Sequence, residues 1–546
     1  MAHGQPKRNR SVLGLVAGML IATVAGPAFA GLQSQLQGLL AAKDLRQARC
    51  AILVVDLATG EALFRFNDNE PMIPASNMKL LTTAAALDVL GLDFVFRTEL
   101  QLIEPPATGA RPVTSADQAP TLVVKGDGDP AFGDPVILAR HGDGGKDLDW
   151  LLDLWTDALR RQNVSHVAEL IIDDRIFERQ RVHPTWPADQ LDRPYCAPVA
   201  GLNFFENTLS VYIQPTQPGQ SPDVQLFPAG SHITLINRAI TGRDDTFAIS
   251  RALDSSELIL RGHVKNRRRE PLRVAVDDPP LYFGQVLADH LQRAGIRVDA
   301  VDAASESWQA PPGHVLHAVQ TTMPLILERC NKDSRNLYAE SLLKRMGRQF
   351  TGTAGSWSNG AAAVRFFLNR RLGSRAAVVR IADGSGLSRD NRVTARLMVD
   401  LLEQMYRDPQ LGKPFMQSLA VAGQDGTLKK RSQLAGRTRS TIIAKSGYIN
   451  GVVALSGYML TPAPGIPARR DPASTPGGIA GSDTELPGVN DLDLSGDRRV
   501  IAFSMLFNDV KPPVYPYTIR ELQDKLLVII DHQLTSEPAD TSQLGG

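Results

Sequence analysis

Two changes of hydrophobic rhythm divide this chain, and they constrain its fold more than any single motif. From residue 31 to about 95 the apolar residues follow compact local patterns. Leu32, Leu36, Leu39 and Leu40 recur at helical spacing. Residues 50–57 form a β-rich run that turns at Ala58-Thr59-Gly60 and returns in alternation over 61–66, which predicts a hairpin. Residues 76–90, rich in Ala and Leu and closed by Gly91, predict a helix. From about 96 to 315 the character differs: short strand-like runs, among them 121–124, 224–227 and 232–236, alternate with clusters of Pro, Gly and Asp. One amphipathic helix is expected there, over 283–294. From about 316 the helical period returns through Leu343. Residues 442–459 then read as strand, turn, strand, and 499–507 as a further strand. Ile519, Leu522, Leu526, Ile529 and Ile530 place one apolar stripe on a terminal helix. This order predicts an α+β fold: a mixed sheet whose first and last helices pack on one face.

Composition narrows the function. A length of 546 residues corresponds to two to four domains. With 59 Lys+Arg against 58 Asp+Glu the formal net charge is +1, unlike the strongly basic face of a nucleic-acid binder. Hydrophobic residues at 43% and charged residues at 21% are globular values, which excludes a fibrous or disordered chain. Three cysteines, Cys50, Cys196 and Cys330, are too few for a disulfide scaffold and lack CxxC spacing. Lys7, Arg8 and Arg10 precede a short apolar run, and Ala28-Phe29-Ala30 has the small-x-small form of a cleavage site. Residues 1–30 are therefore expected to be a signal peptide, and the mature protein to work outside the cytoplasm without a transmembrane segment. Residues 461–497, dense in Gly, Pro, Ser and Asp, are expected to be a disordered surface insertion. The basic run at 265–269 is expected to be a solvated hairpin turn, and Gly126-Asp127-Gly128-Asp129-Pro130 a plain turn. There is no HExxH, GxxxxGK[ST] or GxSxG pattern, so neither a metal nor a cofactor is expected.

Three short motifs carry the chemistry. Ser76-Asn77-Met78-Lys79 stands at a predicted helix start, where positions i and i+3 share a face, so the lysine amine reaches the serine hydroxyl. A serine needs a base beside it, and a lysine serves only if burial or positive neighbours lower its pKa. Ser334-Arg335-Asn336 follows 258 residues later, with a hydroxyl for proton relay and an amide for a peptide substrate; alone it is equally readable as a capping loop. Lys445-Ser446-Gly447 follows 111 residues after that, within a predicted strand. A charge, a hydroxyl and a glycine on a strand edge suit a carboxylate. Each motif is weak alone, but the ordered set matches the SxxK, SDN and KTG elements of penicillin-binding proteins and class A β-lactamases.

On these motifs the chain resembles the penicillin-binding serine peptidases, and most nearly the D-alanyl-D-alanine carboxypeptidase/endopeptidases of the penicillin-binding protein 4 type. Supporting stretches are GDGDPAF at 126–132, YCAPVAGLNFFENTLSV at 195–211, NKDSRNLYAESL at 331–342, DGSGLSRDNRVT at 383–394, Gly426-Thr427-Leu428 with Arg431, and Leu455-Ser456-Gly457-Tyr458. The resemblance implies a β-lactamase/transpeptidase-like domain, an antiparallel sheet flanked by helices, from 31–95 and 316–546. Residues 96–315 would be inserted in it, with a nested subdomain at about 195–275. It implies Ser76 as the acylated nucleophile, Lys79 as general base and Ser334 as proton relay to the leaving amine. Asn336 would hold the substrate amide, Lys445 and Ser446 the terminal carboxylate, and Gly447 would be substrate-binding by letting the substrate backbone approach. The backbone N–H groups of Ser76 and Tyr448 would form the oxyanion hole. Tyr448 is bulkier than the small residue usual there, and its ring is expected to narrow the cleft. The implied partners are peptidoglycan stem peptides, with β-lactam antibiotics as covalent inhibitors, in the periplasm. Rival readings are a serine β-lactamase, which would be about half this length, and a non-catalytic cell-wall binding protein of the same fold.

Overall fold

The computed structural model describes residues 30–41, 47–104, 119–142, 144–230, 233–251, 255–462 and 498–536. The expected signal peptide and the insertion at 461–497 lie outside the described residues, apart from Ala30, Thr461 and Pro462.

Both chain ends build one six-stranded sheet. Its order is Ala420–Val421, Thr441–Ile449, Val452–Pro462, Arg498–Asn508, Arg49–Asp56, Ala62–Phe66. Every pairing is antiparallel, rather than mixed as the bare element order suggested. The expected hairpin at 50–66 is the Arg49–Asp56/Ala62–Phe66 pair. Period-two alternation divides the strands between two cores. Ala51, Leu53 and Val55 join the helices Met78–Val89, Asn336–Thr351, Trp357–Leu372 and Ala395–Arg407 on one face. Ile52, Val54 and Phe503 join the first helix, Ala30–Leu40, and the last, Pro516–Thr535, on the other. Burial on both faces explains why these strands read as continuous apolar runs. Among the described residues no helix is long and apolar enough to cross a membrane.

Between the Ala62–Phe66 and Ala420–Val421 strands the chain forms three further sheets. A five-stranded mixed sheet runs Arg297–Ala303, His166–Asp173, Thr121–Lys125, Val95–Ile103, His314–Thr322. The helices Leu148–Arg161 and Pro279–Arg293 pack on it through Trp155 and Phe283. Two three-stranded sheets take the strands between Thr208 and Ala275. The last strand of the five-stranded sheet, His314–Thr322, crosses the position where a return to helix was expected; the helix starts at Met323. Along that strand, at a sheet edge, burial does not alternate, so the sequence carries no strong strand signal.

Two expected turns differ. Residues 265–269 are exposed but join Glu257–Val264 to Leu272–Ala275, strands of different sheets, so they form a crossover rather than a hairpin turn. The loop at 126–130 is packed inside. Asp129 is buried and accepts from Thr321 Oγ1 (2.7 Å), and Asp127 pairs with Arg345 (3.0 Å) on the helix that begins at Asn336.

Candidate active site

The nucleophile candidate sits on a sharp bend. Ala75 has a positive φ of 46°, rare for a residue with a Cβ, and the single turn Ala75–Asn77 leads directly into Met78–Val89. The bend is held from several sides. Asn77 Nδ2 donates to Ser456 Oγ (2.6 Å) in the sheet. Gly386, at φ +83°, lies so close that a Cβ there would fall 1.8 Å from the Ala75 carbonyl oxygen. Gly447 on the Thr441–Ile449 strand approaches from the opposite side, where a Cβ would meet Pro74 O at 3.0 Å and Ser76 N at 3.1 Å. A side chain at 447 would therefore crowd the bend.

One helical turn on, Lys79 Nζ donates to Ser76 Oγ (3.2 Å), Asn336 Oδ1 (2.7 Å) and Ser385 O (2.9 Å). Its side chain is fully buried, and burial lowers the ammonium pKa to about 8, against the opposing pull of Cys330, Glu340 and Asp383. Lys445 Nζ donates to Ser334 Oγ (2.8 Å) and to Ser446 O (2.8 Å). Burial, and then the positive charge of Lys79, push Lys445 well below the ordinary ammonium value. Ser446 Oγ donates to Thr427 Oγ1 (2.8 Å), and Asn336 Nδ2 donates to Tyr195 O (2.8 Å). All three motifs thus meet in one cleft between the Met78–Val89 helix and the Thr441–Ile449 strand. Ser76, Ser334, Asn336 and Ser446 are partly exposed, whereas the two lysines are buried beneath them.

The strand edge is open where the site needs it. Ala420–Val421 pairs only with Ala444 and Ile443, so Lys445 to Ile449 have no strand on that side among the described residues. An extended peptide laid there would meet a sheet edge, one lysine and two hydroxyls. Tyr448, on the same strand, turns toward the terminal helix. Its exposed ring packs on the guanidinium of Arg520 in the terminal helix, 5.4 Å from the ring centroid.

Several groups at the site were quoted in the motif stretches without a role. Glu340 is fully buried and accepts from Gly384 N (3.0 Å), Ser385 N (2.7 Å) and Trp357 Nε1 (2.8 Å), and so fixes the carbonyl that holds Lys79. Asp383 accepts from Trp186 Nε1, Gly386 N, Ser388 N and Asn391 Nδ2 and shapes the same loop. Thr427 and the Tyr195 carbonyl complete the walls. Among the described residues no group of three or more His, Cys, Asp or Glu is placed to hold a metal ion.

A serine bonded to a buried lysine at a helix start, facing the open edge of an antiparallel sheet, is the arrangement shared by penicillin-binding serine peptidases and serine β-lactamases. Comparison with known proteins identifies the branch. The D-Ala-D-Ala carboxypeptidase 3 (S13) family model matches residues 32–478. A D-alanyl-D-alanine carboxypeptidase of Actinomadura sp. (strain R39) is 31% identical over 468 residues, covering 82% of each chain. D-alanyl-D-alanine carboxypeptidase DacB of Haemophilus influenzae is 25% identical, over 72% of this chain and 78% of its own. The crystal structure of penicillin binding protein 4 from the same organism superimposes with a TM-score of 0.70 at 19% identity, covering 92% of this chain and 99% of its own. The chain belongs to the D-Ala-D-Ala carboxypeptidase 3 (S13) family and is a serine-type D-Ala-D-Ala carboxypeptidase.

Proposed function

We propose that the protein acts on peptidoglycan stem peptides in the periplasm, cleaving terminal D-Ala-D-Ala bonds and the D-Ala–diamino-acid cross-links through an acyl-enzyme on Ser76. Neutral Lys79 takes the Ser76 proton as Oγ attacks the scissile carbonyl. The backbone N–H groups of Ser76 and Tyr448 receive the oxyanion. Ser334, whose Oγ accepts from Lys445, turns its own O–H to the leaving nitrogen, and the C–N bond breaks as that nitrogen gains a proton. The proton that left Ser76 replaces it through the Lys79–Ser334 side of the cleft. Water then attacks the ester and regenerates Ser76. Asn336 carries a second amide N–H besides the one given to Tyr195, and that N–H suits the substrate carbonyl. Lys445 and Ser446 face the terminal carboxylate, and Gly447 lets the peptide backbone approach.

The observation that carries this reading is the 3.2 Å contact of Ser76 Oγ with a fully buried lysine whose pKa is lowered to about 8. Support for β-lactams as covalent ligands comes from the Haemophilus influenzae relative, which was also solved with a β-lactam bound. A fluorescent penicillin tests both claims. Wild type is expected to label stably and Ser76→Ala not at all, by gel fluorescence and intact mass. Rapid release of hydrolysed penicillin would mark a β-lactamase, and no label a binding protein. Digestion of purified sacculi separates the two peptidase activities: monomeric muropeptides released from dimers report endopeptidase action, and free D-Ala reports carboxypeptidase action.

A further inference from the structure

Ser334 stands in a strained loop, held by charged groups from the helix Met323–Asn331 and from the turn Phe205–Asn207 of the inserted region. Its φ is +59°, a left-handed conformation for a residue with a Cβ, and such strain persists only where the surroundings impose it. Its two neighbours are both tied by charge. Asp333 pairs with Arg329, and Arg335 pairs with Glu206 at 2.9 Å. Arg329 is almost fully buried on the helix Met323–Asn331; it donates to Asp134 (2.8 Å) and reaches Glu206 (3.5 Å). Burial works against ionisation of Asp134, but the Arg329 charge and the hydroxyl of Tyr338 hold it below the usual carboxylate range.

Glu206 is the common partner of this cluster. Its carboxylate is buried and faces Arg273, Arg329 and Arg335. It is presented by a second strained segment: Phe205, Glu206 and Asn207 all have positive φ, of 52°, 56° and 54°. Asn207 locks that segment, donating to Pro198 O (2.7 Å) and accepting from Phe204 N (2.8 Å). Three consecutive left-handed residues aim one carboxylate across the junction at the residue next to Ser334. Arg335 is one-third exposed as a whole, but its Nε, the atom nearest Glu206, is buried, so the carboxylate is the charge that atom meets.

We propose that Glu206, acting through Arg335 and Arg329, is a positioning residue that sets the place of the Ser334 hydroxyl for proton delivery to the leaving nitrogen. The inserted sheets are then part of the catalytic apparatus. This inference rests on the relay role proposed for Ser334.

The test exploits leaving-group chemistry. An amine leaves only once protonated, whereas a thiolate leaves without a proton. Loss of proton delivery therefore slows a D-Ala-D-Ala peptide far more than the matched thioester, while general misfolding slows both equally. Steady-state kcat/KM is measured on both substrates for wild type, Ser334→Ala, Glu206→Gln and Arg335→Met. The last variant buries no new charge and keeps the experiment decisive if Glu206→Gln does not fold.

Ser334→Ala is expected to lower the peptide-to-thioester ratio roughly 100-fold or more, the usual scale of general acid catalysis. Glu206→Gln and Arg335→Met are expected to lower it about 10- to 100-fold, the scale of a misplacement near 1 Å, chiefly in kcat. If Ser334→Ala changes the ratio and Arg335→Met, with any folded Glu206→Gln, does not, or slows both substrates equally, the positioning role is overturned. If Ser334→Ala itself leaves the ratio unchanged, the relay role fails and the positioning inference falls with it.

Discussion

Two buried lysines share this cleft, and their partners differ enough to give them different work. Lys79 bonds Ser76, whereas Lys445 bonds Ser334 and the backbone carbonyl of Ser446. If Lys79 is the base, only its neutral form is active. With a pKa lowered to about 8, the neutral fraction grows as pH rises toward that value. Acylation kcat/KM is thus expected to climb about tenfold per pH unit below pH 8 and to level above it, read by stopped-flow labelling with penicillin. Lys79→Arg should abolish that limb and lower acylation by at least about 100-fold, because a guanidinium keeps its proton in proteins. Near-normal labelling of this variant at neutral pH would identify another base. For Lys445, a bound carboxylate would restore the charge that burial and Lys79 disfavour. Lys445→Ala should then cost roughly 1.5–3 kcal/mol with a free-acid peptide and far less with its amide. The acid-to-amide preference should shrink by about 10- to 150-fold, and an unchanged ratio would reject the carboxylate role.

At the scale of elements, the site depends on loops held by side chains rather than on ladders. The 383–391 loop is held at Lys79 by Glu340, which accepts two of its backbone N–H groups, together with Asp383 within it. Glu340→Ala leaves those donors and the Trp357 N–H without a buried acceptor, at about 1–3 kcal/mol for each unmet group. A clear fall in melting temperature is expected together with slower acylation; loss of stability alone would mean that Lys79 finds another acceptor. The strands Val452–Pro462 and Arg498–Asn508 behave differently. They pair as far as Pro462↔Arg498, so the described residues flanking 463–497 lie side by side. Replacing that segment with a short Gly-rich turn should leave penicillin labelling and melting temperature little changed, since loop closure varies by only about 0.6 kcal/mol per doubling of length. A large drop in melting temperature would show that the segment packs on the sheet.

For the whole molecule, the catalytic sheet closes only when the last strands meet the first, as Arg498–Asn508 lies against Arg49–Asp56. Everything between must fold without disturbing that pairing. The inserted sheets are bound to the helices beside the site by ion pairs, of which Asp134–Arg329 is almost fully buried on both sides. Removing Asp134 takes the fully buried counter-charge from Arg329, which keeps Asp333 and Glu206, and leaves the buried Tyr338 hydroxyl without its acceptor. Asp134→Ala is accordingly expected to destabilise by about 3–5 kcal/mol in urea unfolding followed by tryptophan fluorescence, more than an exposed pair such as Arg160–Asp157 could account for. Equal effects for the two pairs would mean that the junction contributes little to stability.

What the amino-acid sequence determined alone is what depends on near neighbours along the chain. The period of the apolar residues set the Met78–Val89 helix and the strands of the central sheet, and the i to i+3 spacing put Lys79 beside Ser76. The ordered motifs also identified the family, because each is a short run of side chains whose chemistry is visible in the letters. Tertiary structure decided the rest. Ser385 and Tyr195 contribute carbonyl oxygens, which every residue carries, so no letter marks them. Glu340 and Glu206 act through partners that only folding brings near, and a glutamate destined for burial is spelled like one on the surface. The direction of Tyr448 follows from the terminal helix offering Arg520 beside that strand, a contact between residues 72 positions apart. Local periodicity carries information over a few residues, whereas burial, charge pairing and the aim of a side chain are set by elements that meet only once both chain ends share one sheet.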